Sequence, residues 1–157
     1  MKRLLILSGK GGTGKTTTAA AFIHFSQTRA MADCDVDAPN LHLVAAPPVS
    51  PEIAEFLGGE KAVVDPDKCV GCGICASHCR FNAHEKEEGR YRVNEYACEG
   101  CGVCAYVCPQ KAVYLAEDVA GRKELYLGER IFSTAVLKMG RGNSGKLVTD
   151  VKMAMLK

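Results

Sequence analysis

Tryptophan is absent, and tyrosine and phenylalanine together supply only 6% of the 157 residues. So few rings leave little material for a large aromatic stacking surface. Charge of one sign is also lacking. Twenty basic side chains stand against 18 acidic ones, for a net charge of +2 and no long run of like charge. Nothing in that balance favours nucleic acid or an anionic membrane as a partner. No apolar stretch approaches the roughly 18 residues of a membrane span. The opening, Met1 to Leu7, starts like a signal peptide but stops at Ser8-Gly9-Lys10, short of the ~7–15-residue apolar core such a peptide needs. These absences predict a cytoplasmic protein with no membrane span and no nucleic-acid partner. With 47% hydrophobic and 24% charged residues, the chain has the composition of a folded domain. Its length suits one domain, or one carrying a small insert.

What the chain has in quantity is cysteine, nine in all. In a reducing compartment that number suggests metal rather than disulfides. Cys34 stands alone and reads as a small buried hydrophobe. The other eight form two runs, Cys69-x2-Cys72-x2-Cys75-x3-Cys79 and Cys98-x2-Cys101-x2-Cys104-x3-Cys108, the second followed by Pro109. An offset of 29 residues superposes them and also matches Val64 with Val93, Gly71 with Gly100, Gly73 with Gly102, Ala76 with Ala105 and Ala83 with Ala112. Residues 62–117 therefore read as an internal repeat with two-fold pseudo-symmetry.

Thiolates are soft ligands for iron–sulfur clusters and for zinc. Structural zinc usually takes paired cysteines separated by a long gap, whereas here three cysteines recur at i, i+3 and i+6, with a fourth four residues on. This spacing resembles that of two-cluster bacterial ferredoxins, in which the fourth cysteine of a run ligates the other cluster. The resemblance implies one [4Fe–4S] cluster on Cys69, Cys72, Cys75 and Cys108, and a second on Cys98, Cys101, Cys104 and Cys79. The first run departs from the pattern in having Arg80 where the second has Pro109, a position that is not a ligand. His78 lies inside the first run, where eight thiolates leave no ligand position for it.

The N-terminal part has a different texture. Arg3 to Leu7 reads as a short buried strand, Thr16 to Arg29 as a helix and Ala30 to Asp33 as a second strand. Pro48 to Gly59 reads as a connection, Glu124 to Ala135 as one or two strands, Gly140 to Gly145 as a loop and Leu147 to Leu156 as a helix. Between the first strand and helix, Gly9, Gly14, Lys15 and Thr16 satisfy the spacing G-x4-G-K-[ST]. Such a loop cradles phosphates with backbone N–H groups, here those of Gly11, Gly12, Thr13, Gly14, Lys15 and Thr16, with Thr17 following. Lys15 would reach the β- and γ-phosphates, and the Thr16 hydroxyl would hold Mg²⁺.

With Lys10, the loop Lys-Gly-Gly-Thr-Gly-Lys-Thr resembles the deviant Walker A loop of the MinD, ParA and nitrogenase iron protein class. The resemblance implies that Lys10 reaches the nucleotide of a partner subunit in an ATP-closed dimer. It also implies that the acidic segment Asp33-Cys34-Asp35-Val36-Asp37-Ala38-Pro39-Asn40 orients the attacking water. Asp35 is the best match for that role and Asp37 the second, with Asp33 structural. Three carboxylates in five residues can equally form a solvated loop. Taken with the cysteine runs, the chain resembles MinD-superfamily ATPases that carry an inserted ferredoxin domain. The tail Asn143-Ser144-Gly145-Lys146-Leu147-Val148-Thr149 looks like that group too.

The expected fold is therefore α/β: a partial P-loop parallel sheet (strand–P-loop–helix–strand) with an inserted α+β ferredoxin domain carrying two [4Fe–4S] clusters. Residues 1–60 and 119–157 would form the P-loop part and 61–118 the insert. The later strands of such an ATPase, with a switch II aspartate, do not follow Lys157. The resemblance thus implies a fragment, a truncated product or half of a split protein, completed by a homodimer or a companion chain. The expected function is electron transfer through two clusters, to and from redox proteins, coupled to ATP and Mg²⁺. If the chain is an enzyme, it is an ATPase acting through Lys10, Lys15 and Asp35. Two alternatives stand beside this: a plain ferredoxin-type carrier with a non-functional P-loop, and an ATP-dependent cluster carrier.

Overall fold

A computed structural model describes residues 3–9 and 12–156. The chain divides into two compact units. One comprises Met1–Phe56, Gly121–Met139 and Asn143–Lys157; the other comprises Leu57–Ala120 and Gly140–Gly142.

The first unit begins with a correction. Arg3 to Leu7 forms no strand, and Leu4, Leu5 and Leu7 are exposed. An apolar run becomes a buried parallel strand only where neighbours pair with it and both faces are covered; this one has neither. The expected strand–loop–helix–strand unit is thus a loop, a helix and one short strand among the described residues. The helix, α1 (Lys15–Ser26), starts behind Gly14 at φ 80° and stops at Gln27 at φ 50°. Ala19, Ala20 and Ile23 lie along one stripe of it and pack on Met31, Phe132 and Leu41, the last just ahead of the short helix α2 (His42–Ala45).

Met31 sits in β1 (Ala30–Ala32), which pairs in parallel with β6 (Ile131–Leu137). The other side of β6 pairs antiparallel with β5 (Val113–Leu127), from Gly121↔Leu137 to Leu127↔Ile131. With β2 (Glu52–Val64) the sheet order is β1-β6-β5-β2. The sheet is mixed rather than parallel, because a tight turn joins β5 directly to β6 and such a turn permits only antiparallel pairing. Strand β2 starts inside the expected connection, just past Pro51. Phe132, Ser133, Thr134, Ala135 and Leu137 of β6 are all buried. Burying Phe132 alone contributes about 2–3 kcal/mol. Helix α5 (Ser144–Ala154) packs against β6 and buries Leu147 and Val151, which are four residues apart on one face.

The second unit repeats one motif twice. Short helices α3 (Ile74–Ser77) and α4 (Val103–Val107) each follow a cysteine loop. Strands β3 (His84–Glu87) and β4 (Arg90–Val93) form an antiparallel hairpin between them. The core holds Ala62, Cys75, Ala83, Cys98, Cys104 and Val113. Cysteines are three of these six residues, among which Val113 is the one larger aliphatic side chain.

Candidate metal centre

Each cysteine run opens on a side-chain turn. Asp65 Oδ1 accepts the N–H of Asp67 at 3.0 Å, and Asn94 Oδ1 accepts that of Tyr96 at 3.0 Å. The first cysteines then donate N–H groups back, Cys69 to the Asp65 carbonyl at 3.1 Å and Cys98 to that of Asn94 at 3.0 Å. Gly71 and Gly100 follow at φ 70° and 66°. A Cβ on Gly71 would collide with the carbonyl oxygen of Gly89, and one on Gly100 with that of Glu60. Only glycine fits both the dihedral and the approach. Gly73 and Gly102 then start the helices, which hold Cys75 and Cys104 buried.

Each run also closes the same way. Cys79 Sγ accepts the N–H of Ala83 at 3.4 Å, and Cys108 Sγ accepts that of Ala112 at 3.3 Å. The ends are crossed: Asp65 N–H donates to the Ala112 carbonyl and Asn94 N–H to the Ala83 carbonyl, both at 2.7 Å. The start of each run is therefore tied to the end of the other. As a result, Cys108 lines one cavity with Cys69, Cys72 and Cys75, between the apolar side chains of Val64 and Val113. Of the other four, Cys98 and Cys104 share the core, Cys79 packs against it and Cys101 is exposed.

The thiols of this unit fit a cluster. All eight are unbridged. Burial pushes the Cys75 thiol above its ordinary value, and the facing Cys69, Cys104 and Cys108 push it further. Burial does the same to Cys104, aided by Cys98 and Cys101. Thiolates crowded in an apolar site hold protons unless positive iron replaces them. Among the described residues no three His, Cys, Asp or Glu side chains are placed to hold a single metal ion. Four cysteines around one apolar cavity are a ligand set that suits a [4Fe–4S] cluster.

Two cations were not legible from the motifs. The Lys61 ammonium donates to the Cys98 carbonyl oxygen. Arg141, whose side chain is only 5% exposed, pairs with Asp118 at 2.9 Å and Glu95 at 2.5 Å. Its guanidinium also lies 5.5 Å from the Tyr96 ring, so it braces the turn that leads into Cys98. The 29-residue offset could have exposed the Asp65–Asn94 pair, but no local signal marks Lys61 or Arg141.

The glycine loop lies in the other unit. Lys10 and Gly11 fall outside the described residues. Gly12 and Gly14 take φ 79° and 80°, and Thr13 lies between them. Lys15 Nζ lies 2.8 Å from Asp35 Oδ2. That hydrogen bond raises the lysine above its ordinary value against a smaller opposing effect of burial. Thr16 Oγ1 donates to Asn40 Oδ1 at 2.7 Å, and Thr17 follows in the first turn of α1. The Asp33 carboxylate accepts backbone N–H groups of Asp35, Asn40 and Leu41 at 3.0–3.1 Å, so it shapes the loop that carries Asp35. Asp37 is exposed. Cys34 is half-buried, and burial raises its thiol.

Residues 62–115 match the 4Fe-4S dicluster domain family. This is an iron–sulfur domain of the ferredoxin type. The chain is also 36% identical over 67 residues to a ferredoxin of Pyrobaculum islandicum, a match covering 42% of this chain and 63% of that protein. An uncharacterized protein of Methanocaldococcus jannaschii is 36% identical over 84 residues, covering 52% of this chain and 30% of the relative. The matches thus span less than two thirds of either relative. Among the described residues no helix is long and apolar enough to cross a membrane.

Proposed function

We propose that the chain carries electrons one at a time between redox proteins. Cys69, Cys72, Cys75 and Cys108 would hold one [4Fe–4S] cluster, and Cys98, Cys101, Cys104 and Cys79 the other. The observation that carries this reading is the cavity lined by three cysteines of the first run and Cys108 of the second. When bound, each cluster takes up and returns a single electron. The chain's own part is to exclude water with Val64 and Val113 and to donate backbone N–H groups to sulfur, which sets the ease of reduction. The ferredoxin-type domain at residues 62–115 supports it. Anaerobic reconstitution tests it: about eight irons and eight sulfides per chain, with an S = 1/2 signal on dithionite reduction, are expected. Zinc in place of iron, or four irons or fewer, would refute it.

A second reading adds nucleotide. Residues 1–60 and 119–157 would form part of a P-loop domain, with 61–118 as its insert. Lys10, Lys15, Thr16 with Mg²⁺, and Asp35 would act on ATP bound at Gly11 to Thr17. The close Lys15–Asp35 and Thr16–Asn40 contacts at the start of a 12-residue helix favour it. Calorimetry with Mg-ATP on the cluster-loaded protein decides between the readings. Binding that Lys15→Ala abolishes supports the coupled ATPase or an ATP-dependent cluster carrier, and no binding leaves a plain electron carrier. A homodimer or companion chain completing the sheet belongs to this second reading.

A further inference from the structure

The two cysteine runs share their opening turns, their closing bonds to sulfur and their crossed ties, and differ around Cys98. Its Sγ accepts two backbone N–H groups, from Gly100 at 3.4 Å and Ala62 at 3.5 Å. Among the described residues, no hydrogen bond reaches Cys69 Sγ at the equivalent position. The Cys98 carbonyl oxygen also accepts the Lys61 ammonium. The 29-residue offset places Arg90 at the position equivalent to Lys61, and Arg90 is exposed on β4 with no bond to Cys69. Lys61 has other choices. It lines a cleft that also carries Glu85, Glu95, Glu117 and Asp118, yet no ion pair joins it to any of them. Glu85 is taken by Arg92 and Asn94, and Glu95 and Asp118 are taken by Arg141.

We propose that Lys61 is a positioning residue that sets the two clusters apart in reduction potential, making the one on Cys98 the easier to reduce. The inference rests on the two-cluster reading. Reduction adds one electron and no proton, so it makes a site more negative. Donors aimed at the ligand sulfur and a cation fixed on the ligand's own carbonyl both favour the more negative state. A unit charge about 10 Å away, at an effective dielectric near 20, shifts such an equilibrium about tenfold.

The test uses the cluster-loaded full chain, with iron counted first. Too few irons would defeat the two-cluster reading rather than this inference. Redox titration with dithionite, followed by electron paramagnetic resonance, then measures both midpoints, each step passing one electron from dithionite to one cluster. Two separate midpoints are expected in the natural protein. Lys61→Met should lower only the upper one, reducing the reduced-to-oxidised ratio there about tenfold, or about 59 mV. Lys61→Arg should restore it, and Arg90→Met should leave both midpoints in place. Should Lys61→Met fail to hold both clusters, Lys61→Gln against Lys61→Arg reads the same shift. A single shared midpoint in the natural protein overturns the proposal. So does a Lys61 variant that moves both midpoints equally or only the lower one.

Discussion

The two halves of the cysteine unit share the bonds that open, close and cross the two runs and differ in the groups set around those bonds. The Asp65 and Asn94 turns, the Ala83 and Ala112 bonds to sulfur and the crossed 2.7 Å ties all appear twice. The Lys61 and Arg141 contacts appear once, in the second half. Duplicated bonds are what each half needs to fold round its cysteines. Single bonds are free to make one half behave differently from the other.

Cysteine exchange breaks the comparison most severely. Cys108→Ser and Cys79→Ser sit at equivalent positions but should each empty the site of the opposite run. Iron content should fall by about half in either variant, and the surviving resonance signal should differ between them. If Cys108→Ser lost the signal that Cys101→Ser loses, rather than the one that Cys72→Ser loses, each run would ligate its own cluster.

Glycine replacement sharpens the comparison at intermediate size. Gly71→Ala drives a methyl into Gly89 of the exposed β3–β4 turn, whereas Gly100→Ala drives one into Glu60 within the paired strand β2. A turn yields more easily than a strand held on a ladder. Gly100→Ala should cost about 2–4 kcal/mol and Gly71→Ala about 1–2 kcal/mol, from positive φ plus backbone displacement. Urea unfolding of the loaded proteins measures both.

The smallest effect separates His84 from Val113, its partner under the same offset. Burial holds the His84 imidazole below its ordinary value, and its Nδ1 has no hydrogen-bond partner. The folded state therefore binds fewer protons there than the unfolded one. Stability should fall as pH drops below about 6.5 and level off below the folded value. His84→Val, which copies the second half, should remove that part of the slope. A slope unchanged between the natural protein and the variant, in unfolding midpoints from pH 7.5 to 5.5, would assign it elsewhere.

Legibility followed the same division. The cysteine spacing, the glycines at Gly71 and Gly100, and helices α1 and α5 were visible because each depends on residues within a few positions of one another. Arg3 to Leu7 was misread because an apolar run shows its hydrophobicity but not whether a neighbour pairs with it. The parallel sheet was misread for a related reason: strand direction is set by how β5 turns into β6. Lys61 was invisible because its partner lies 37 residues away, and a lysine in a strand carries no mark of what it touches.

The crossed ties have a kinetic consequence. If either half were a separate molecule, its cysteine site would have to wait for a second copy to supply the closing residues, at a rate set by how often copies meet. The hairpin of β3 and β4 joins the halves in one chain and makes that meeting intramolecular, with an effective concentration in the millimolar range. Assembly of this unit is thereby independent of how much protein a cell makes. A nick at the exposed Glu88–Gly89 turn would spare every ligand, yet it should make cluster retention depend on dilution.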